Sequence, residues 1–115
     1  MGTQSKSVLT LTVGASGTIS AARFVTTGGA QAGADANTLG VAVTSAVAGD
    51  KIPVDVLGTT TVEAGAAVSA GATVKADASG RAIAWATSGA KVGVALEAAT
   101  AAGQFIEVLL IPNAV

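Results

Sequence analysis

The sequence predicts an all-β protein: a small barrel or sandwich-like domain built from two similar β-rich units, preceded by a flexible arm. Three features carry that reading. Short runs that alternate apolar and polar residues recur along the chain. Val and Thr, which suit a pleated surface, are abundant, and Gly, Ser, Asp and Asn interrupt nearly every run at the spacing of turns between short strands. Ala is the commonest residue, at 27 of 115, and Ala favours helix. The 15 Gly residues recur too often for a long helix, so strands are preferred, with short helices expected only in 27–36 or 98–102.

Residues 1–7 are small and polar and read as the N-terminal arm, leaving 8–115 as one domain. In 8–13, Leu9, Leu11 and Val13 fall on one face at period two, opposite Thr10 and Thr12. Gly14 to Gly17 then supplies a turn. Strand-like runs follow at 18–26 and 39–44. Residues 51–57 alternate cleanly, with Ile52, Val54 and Val56 opposite Lys51, Pro53 and Asp55. Pro53 has no amide donor, which points to an edge or an unpaired position. Further runs occupy 59–63, 73–76, 81–86, 91–96 and 105–111, with Asp77-Ala78-Ser79-Gly80 as a hairpin turn.

Two parts of the chain look alike. Leu39-Gly40-Val41-Ala42-Val43 resembles Val92-Gly93-Val94-Ala95-Leu96, and each leads through an Ala-rich connector to a glycine, Gly49 or Gly103. Ile52, Val54 and Val56 then match Ile106, Val108 and Leu110. Upstream, Val13, Ile19 and Val25 match Val62, Val68 and Val74. The units span 12–58 and 61–111. Neither has enough bulky apolar residues for a core of its own, so one shared core is expected.

The composition excludes much chemistry. With no Cys there is no disulfide, thiolate nucleophile or Cys-based metal site, and with no His there is no Ser-His-Asp triad. Six basic residues, scattered singly, make no nucleic-acid footprint. The longest apolar stretch, 98–111, is broken by Gly103, Gln104 and Glu107, so no membrane-spanning helix is expected. Among the seven acids, Asp50 and Asp77 sit in turns, while Asp55 and Glu107 occupy outward strand positions and read as a solvated face. Asp35 with Asn37 is the one place where oxygen ligands for a divalent cation come near each other, and it is an isolated pair. Gly28-Gly29 and 65–71 lack the Lys-Ser/Thr of a phosphate loop and read as turns. Trp85, flanked by Ala84 and Ala86, fits either an interface anchor or a core filler; Phe105 fits core or rim.

Taken in order, several segments resemble the capsid cement, or head decoration, proteins of tailed bacteriophages. They are Gly40-Val41-Ala42, Ala48-Gly49, Ile52-Pro53-Val54, Gly58, Glu63-Ala64-Gly65, Val68-Ser69-Ala70-Gly71, Val74, Asp77, Gly80, Val92-Gly93-Val94-Ala95-Leu96-Glu97-Ala98-Ala99, Gly103 and Ile106-Glu107-Val108. The resemblance covers 8–111. It implies a small all-β structural protein of the virion, made in the host cytoplasm. Such a protein binds the outer surface of the head, commonly as homotrimers at three-fold and quasi-three-fold positions, and stabilises the expanded shell. Its partners would be the major capsid protein and other copies of itself, with no enzymatic activity, cofactor, nucleic acid or membrane. It further implies that the arm, with Thr3, Gln4, Ser5, Lys6, Ser7 and Val8, orders against the capsid and adds a strand to a shell protein. Trp85 and Phe105 are the candidate contacts between subunits. Three other readings predict different features. A glycan- or small-ligand-binding β-module needs an aromatic-lined pocket. A carboxylate enzyme needs two converging acids. A head-fibre or tail component would differ in its place on the virion.

Overall fold

The structure, a computed structural model, describes residues 5–111. Eight strands follow in order: β1 (Lys6–Gly14), β2 (Phe24–Val25), β3 (Gly40–Ala42), β4 (Lys51–Glu63), β5 (Thr73–Ala76), β6 (Ala82–Ala84), β7 (Gly93–Ala95) and β8 (Phe105–Leu110). No helix occurs among the described residues. The segments 27–36 and 98–102, where short helices were expected, are turns and bends held by isolated bridges such as Val25 with Gln31 and Val68 with Ala99. Gly28, Gly29 and Gly33 in one and Gly103 just past the other favour turns over helix despite the Ala content.

The strands form one antiparallel sheet in the order β2-β3-β4-β8-β7-β5-β6, with β1 on β4. The sheet curls until its ends approach each other. The Phe24 amide, in β2, donates to Gly80 O just before β6 (2.8 Å), and Ala64, just past β4, bridges Ala82. The result is a nearly closed barrel. Residues 51–57 and 59–63, read from the sequence as two strands, are one 13-residue strand that bends at Gly58, where φ is +98°. β1 starts at Lys6, two residues before the sequence alternation begins.

The barrel interior is filled by Phe24, Val62, Val74, Val92, Ile106 and Val108, all essentially inaccessible to solvent. A second cluster gathers Ile19, Val25, Ile52 and Val54. Alternation explains the choice: Ile106, Val108 and Leu110 face inward from β8, as Ile52 and Val54 do from β4. Phe24 is the one aromatic in the core, and the rest is Val, Ile, Leu and Ala. Small side chains let the strands approach closely. A Cβ on Gly40 would overlap the Asp55 carbonyl oxygen, and one on Gly93 would stand 2.8 Å from the Leu109 carbonyl oxygen.

The same backbone bonds occur at corresponding places in the two halves. Ile19 N donates to Ala46 O (2.9 Å), as Val68 N does to Ala99 O (2.9 Å). Ala22 N donates to Ala42 O (2.9 Å), and Gly71 N to Ala95 O (2.7 Å). Gly49 N donates to Ala15 O (2.9 Å), and Gly103 N to Ala64 O (2.8 Å). At the second pair the backbone is left-handed in both halves, with φ of +61° at Ala22 and +87° at Gly71.

Pro53 lies in a strand with neighbours on both sides, yet costs no ladder bond. Its carbonyl accepts from Val43 N (3.2 Å), so its missing donor faces that same side, beyond the end of β3 at Ala42. Thr12, its partner in β1, therefore points its own N–H and C=O away from β4.

Candidate interaction surface

β1 is the one strand whose side chains are nearly all exposed; only Val13 is partly buried. It pairs with β4 alone, so its other edge carries no backbone partner among the described residues. That edge has one charge, Lys6, and no proline to discourage pairing. The ladder with β4 is irregular, with register shifts between Ser7 and Leu9 and between Leu9 and Thr10. The second shift places the extra residue, Val56, in β4 and none in β1. Leu9 stands beside Leu57 and Leu11 beside Val54, and the two leucines are exposed to a similar extent, at 43% and 40%. Val8 occupies the first bulge and is 78% exposed.

Of the expected capsid-binding residues, Thr3 and Gln4 lie outside the described residues. Ser5 precedes β1, and Lys6, Ser7 and Val8 are its first three residues. Lys6 pairs with Thr59 and Ser7 with Gly58, so these positions are strand and not arm. The backbone ladder extends to them because β4 continues through the Gly58 bend.

The expectation that Asp55 and Glu107 form a solvated face is corrected: both are buried, at 4% and 1% exposure. Asp55 lies beneath Ser5 and the first half of β1. Its Oδ1 accepts from Thr10 Oγ1 (2.9 Å), and its Oδ2 accepts from Thr60 Oγ1 (3.0 Å) and, more weakly, Ser5 Oγ (3.4 Å). A cavity of about 170 Å³ opens beside it, walled by Ala21, Ala22 and Val43. Glu107 is pinned through its amide, which donates to Glu97 Oε1 (2.9 Å). Of its hydroxyl partners only Thr60 is near in sequence; Thr10 and Ser5, which cover the carboxylate, are 45 and 50 residues away, so the burial of Asp55 is not visible locally.

Trp85 directly follows β6 and Phe105 opens β8; β5 and β7 separate their strands in the sheet order. Trp85 is half-buried and outside the core. Its indole N–H donates to Gly89 O (2.9 Å), and Lys91 Nζ sits 4.5 Å from the ring centroid. Phe105 pairs with Glu63 and is 56% exposed. Val43, Val47, Leu57 and Leu109 are further exposed apolar side chains that the sequence pattern did not single out.

The remaining acids hold the fold together. Glu63 pairs with Arg23 (3.1 Å) and Arg81 (3.5 Å). Asp77 Oδ1 accepts from Ser79 N (2.8 Å) and Arg81 N (2.9 Å), which builds the β5–β6 hairpin turn. Asp35 pairs with Lys75 (2.7 Å) and accepts from Ser88, so its carboxylate is engaged by these and not by Asn37. The Lys75 hydrogen bond holds its carboxyl below the ordinary value of 3.8. No group of three or more acids that could hold a metal ion occurs among the described residues.

The described residues thus form an all-β domain of one curled sheet whose first strand keeps an open edge. Comparison with known proteins makes this specific. The family model for phage cement protein matches residues 3–110, and the chain belongs to that family of phage structural proteins. No curated protein sequence matches the chain. Among solved structures, the head fibre gp8.5 N base of bacteriophage phi29 is similar, with a TM-score of 0.73 and 20% identity, covering 93% of this chain and 97% of that one. That likeness is one of fold.

Proposed function

We propose that this protein decorates the outer surface of the phage head, binding the major capsid protein and stabilising the expanded shell. It acts as a homotrimer at three-fold and quasi-three-fold positions and has no enzymatic activity. The observation that carries the reading is the open edge of β1 in a chain of the cement family. An extended segment of a shell protein paired there makes a row of backbone hydrogen bonds with no demand on side chains. Each net bond contributes only about 0.5–1.5 kcal/mol, but many copies on one shell act together. Lys6, Ser7 and Val8 open this edge with Ser5 just before them, Thr3 and Gln4 precede them in the sequence and complete the capsid-binding segment, and Trp85 and Phe105 contact neighbouring copies.

Co-sedimentation with expanded heads lacking this protein tests the reading. Wild type is expected to bind and saturate. Thr12→Pro removes an amide donor from the open edge while leaving the β4 ladder intact, and is expected to weaken binding. Wild type that stays in the supernatant overturns the proposal. The fold shared with a head-fibre base supports a second reading, in which the domain seats a fibre on the head. A head reconstruction separates the two by whether further density rises from the domain.

A further inference from the structure

We infer that β1 is an exchangeable strand, and that the β4 edge from Lys51 to Thr59 is a binding site for the β1 of a second copy of this chain. The inference does not depend on capsid binding. Buried core residues begin at Ala15, and β1 adds to them only the partly buried Val13. β1 is held by the irregular ladder to β4, by the hydroxyls gathered on Asp55, by Lys6 N donating to Thr59 Oγ1 (3.1 Å) and by Val13, with no fully buried side chain of its own. The body is anchored immediately behind the strand: Ala15 N donates to Asp50 O (2.7 Å) and Ser16 N to Gly29 O (2.9 Å). Gly14 is the pivot between this anchor and the strand, and a glycine there leaves the swing unhindered.

When β1 lifts off, the Asp55 carboxylate loses Thr10 and Ser5 and keeps only Thr60. β1 covers that carboxylate, so it is hydrated once the strand leaves, and the vacated edge draws in a strand through the net gain of the ladder and hydroxyl bonds that pairing restores. The complementary strand needs a hydroxyl facing Asp55 and apolar side chains facing Val54 and Ile52. Thr10, Leu11 and Val13 supply these in register, and every copy carries them. Exchange replaces each bond with its equal, so closed and exchanged forms differ little in contact energy and are selected by concentration. Crowding on one surface favours the exchanged form.

The chain contains no cysteine, which makes the test clean. Thr12 and Pro53 are exposed cross-strand partners in a regular part of the ladder. Differently tagged Thr12→Cys and Pro53→Cys chains are mixed and oxidised with oxidised glutathione. A single chain carrying both cysteines calibrates the yield of the bond, and Thr12→Cys mixed with Ala101→Cys measures random collision. The expected result is a mixed-tag disulfide product at least tenfold above the collision control, forming several-fold faster when Thr10→Val is added. A mixed product no greater than the control, with the single chain closing its own bond, overturns the proposal. So does a formation rate indifferent to Thr10→Val, since the Asp55 fastening is then not what holds the strand.

Discussion

Ala22 and Gly71 allow the backbone to be tested apart from packing. They occupy matched turns with matched hydrogen bonds, and both have left-handed φ. For an L-residue that conformation costs about 1–2 kcal/mol, while glycine loses about 0.5–1 kcal/mol more backbone entropy on folding than alanine. The difference favours glycine by about 0.5–1 kcal/mol. Ala22→Gly is therefore expected to stabilise the protein by about that much, less a few tenths for a methyl that only borders an open cavity. Gly71→Ala is expected to destabilise it by about 1 kcal/mol, since φ of +87° lies further from the favoured left-handed well. A Cβ there meets nothing within 4 Å, so no clash contributes. In a domain of this size these changes move Tm by about 2–6 °C, in opposite directions. Thermal and urea unfolding followed by circular dichroism and the fluorescence of the single Trp85 reads both. A loss of stability in Ala22→Gly with a native spectrum, or a neutral Gly71→Ala, refutes the reasoning.

Phe24→Ala removes the one core aromatic and is expected to cost about 3–5 kcal/mol, read as a loss in urea midpoint at constant slope. Gly40→Ala drives a Cβ into the Asp55 carbonyl and is expected to cost at least about 1–3 kcal/mol; amide exchange should show β3 separating from β4. The Asp35 carboxyl is held below its ordinary value by Lys75, so its contribution is present above about pH 4 and fades as pH falls through the lowered folded value. Asp35→Asn, which tolerates the left-handed backbone at that position, should flatten the acid limb of Tm against pH; an unchanged limb rules out the pair as its source.

Strand existence was legible in the sequence because side-chain period reports backbone geometry directly. Residues 73–76 and the inward set Ile106, Val108 and Leu110 lie as the alternation implied. Strand ends were less legible: 18–26 condenses to Phe24–Val25, and the two runs around Gly58 fuse. Pairing, not propensity, sets those limits. Trp85 could not be assigned from sequence because its Ala neighbours are equally compatible with core and surface, and Phe105 because it opens a strand between polar Gln104 and apolar Ile106. Trp85 is half-buried with its indole on the Gly89 carbonyl of the following loop, while the exposed place of Phe105 beside Glu63 depends on a strand distant in sequence.

The sequence alone determined the all-β class, single turns such as Asp77–Gly80, and the absence of thiol and imidazole chemistry, since these follow from residue type and local period. Only the tertiary structure decided that Asp55 is buried, that the ladder between β1 and β4 shifts register twice, and that β1 keeps one edge free. Each depends on register and on contacts tens of residues apart, and a shift of one residue in register reverses a side chain's face without altering the local pattern.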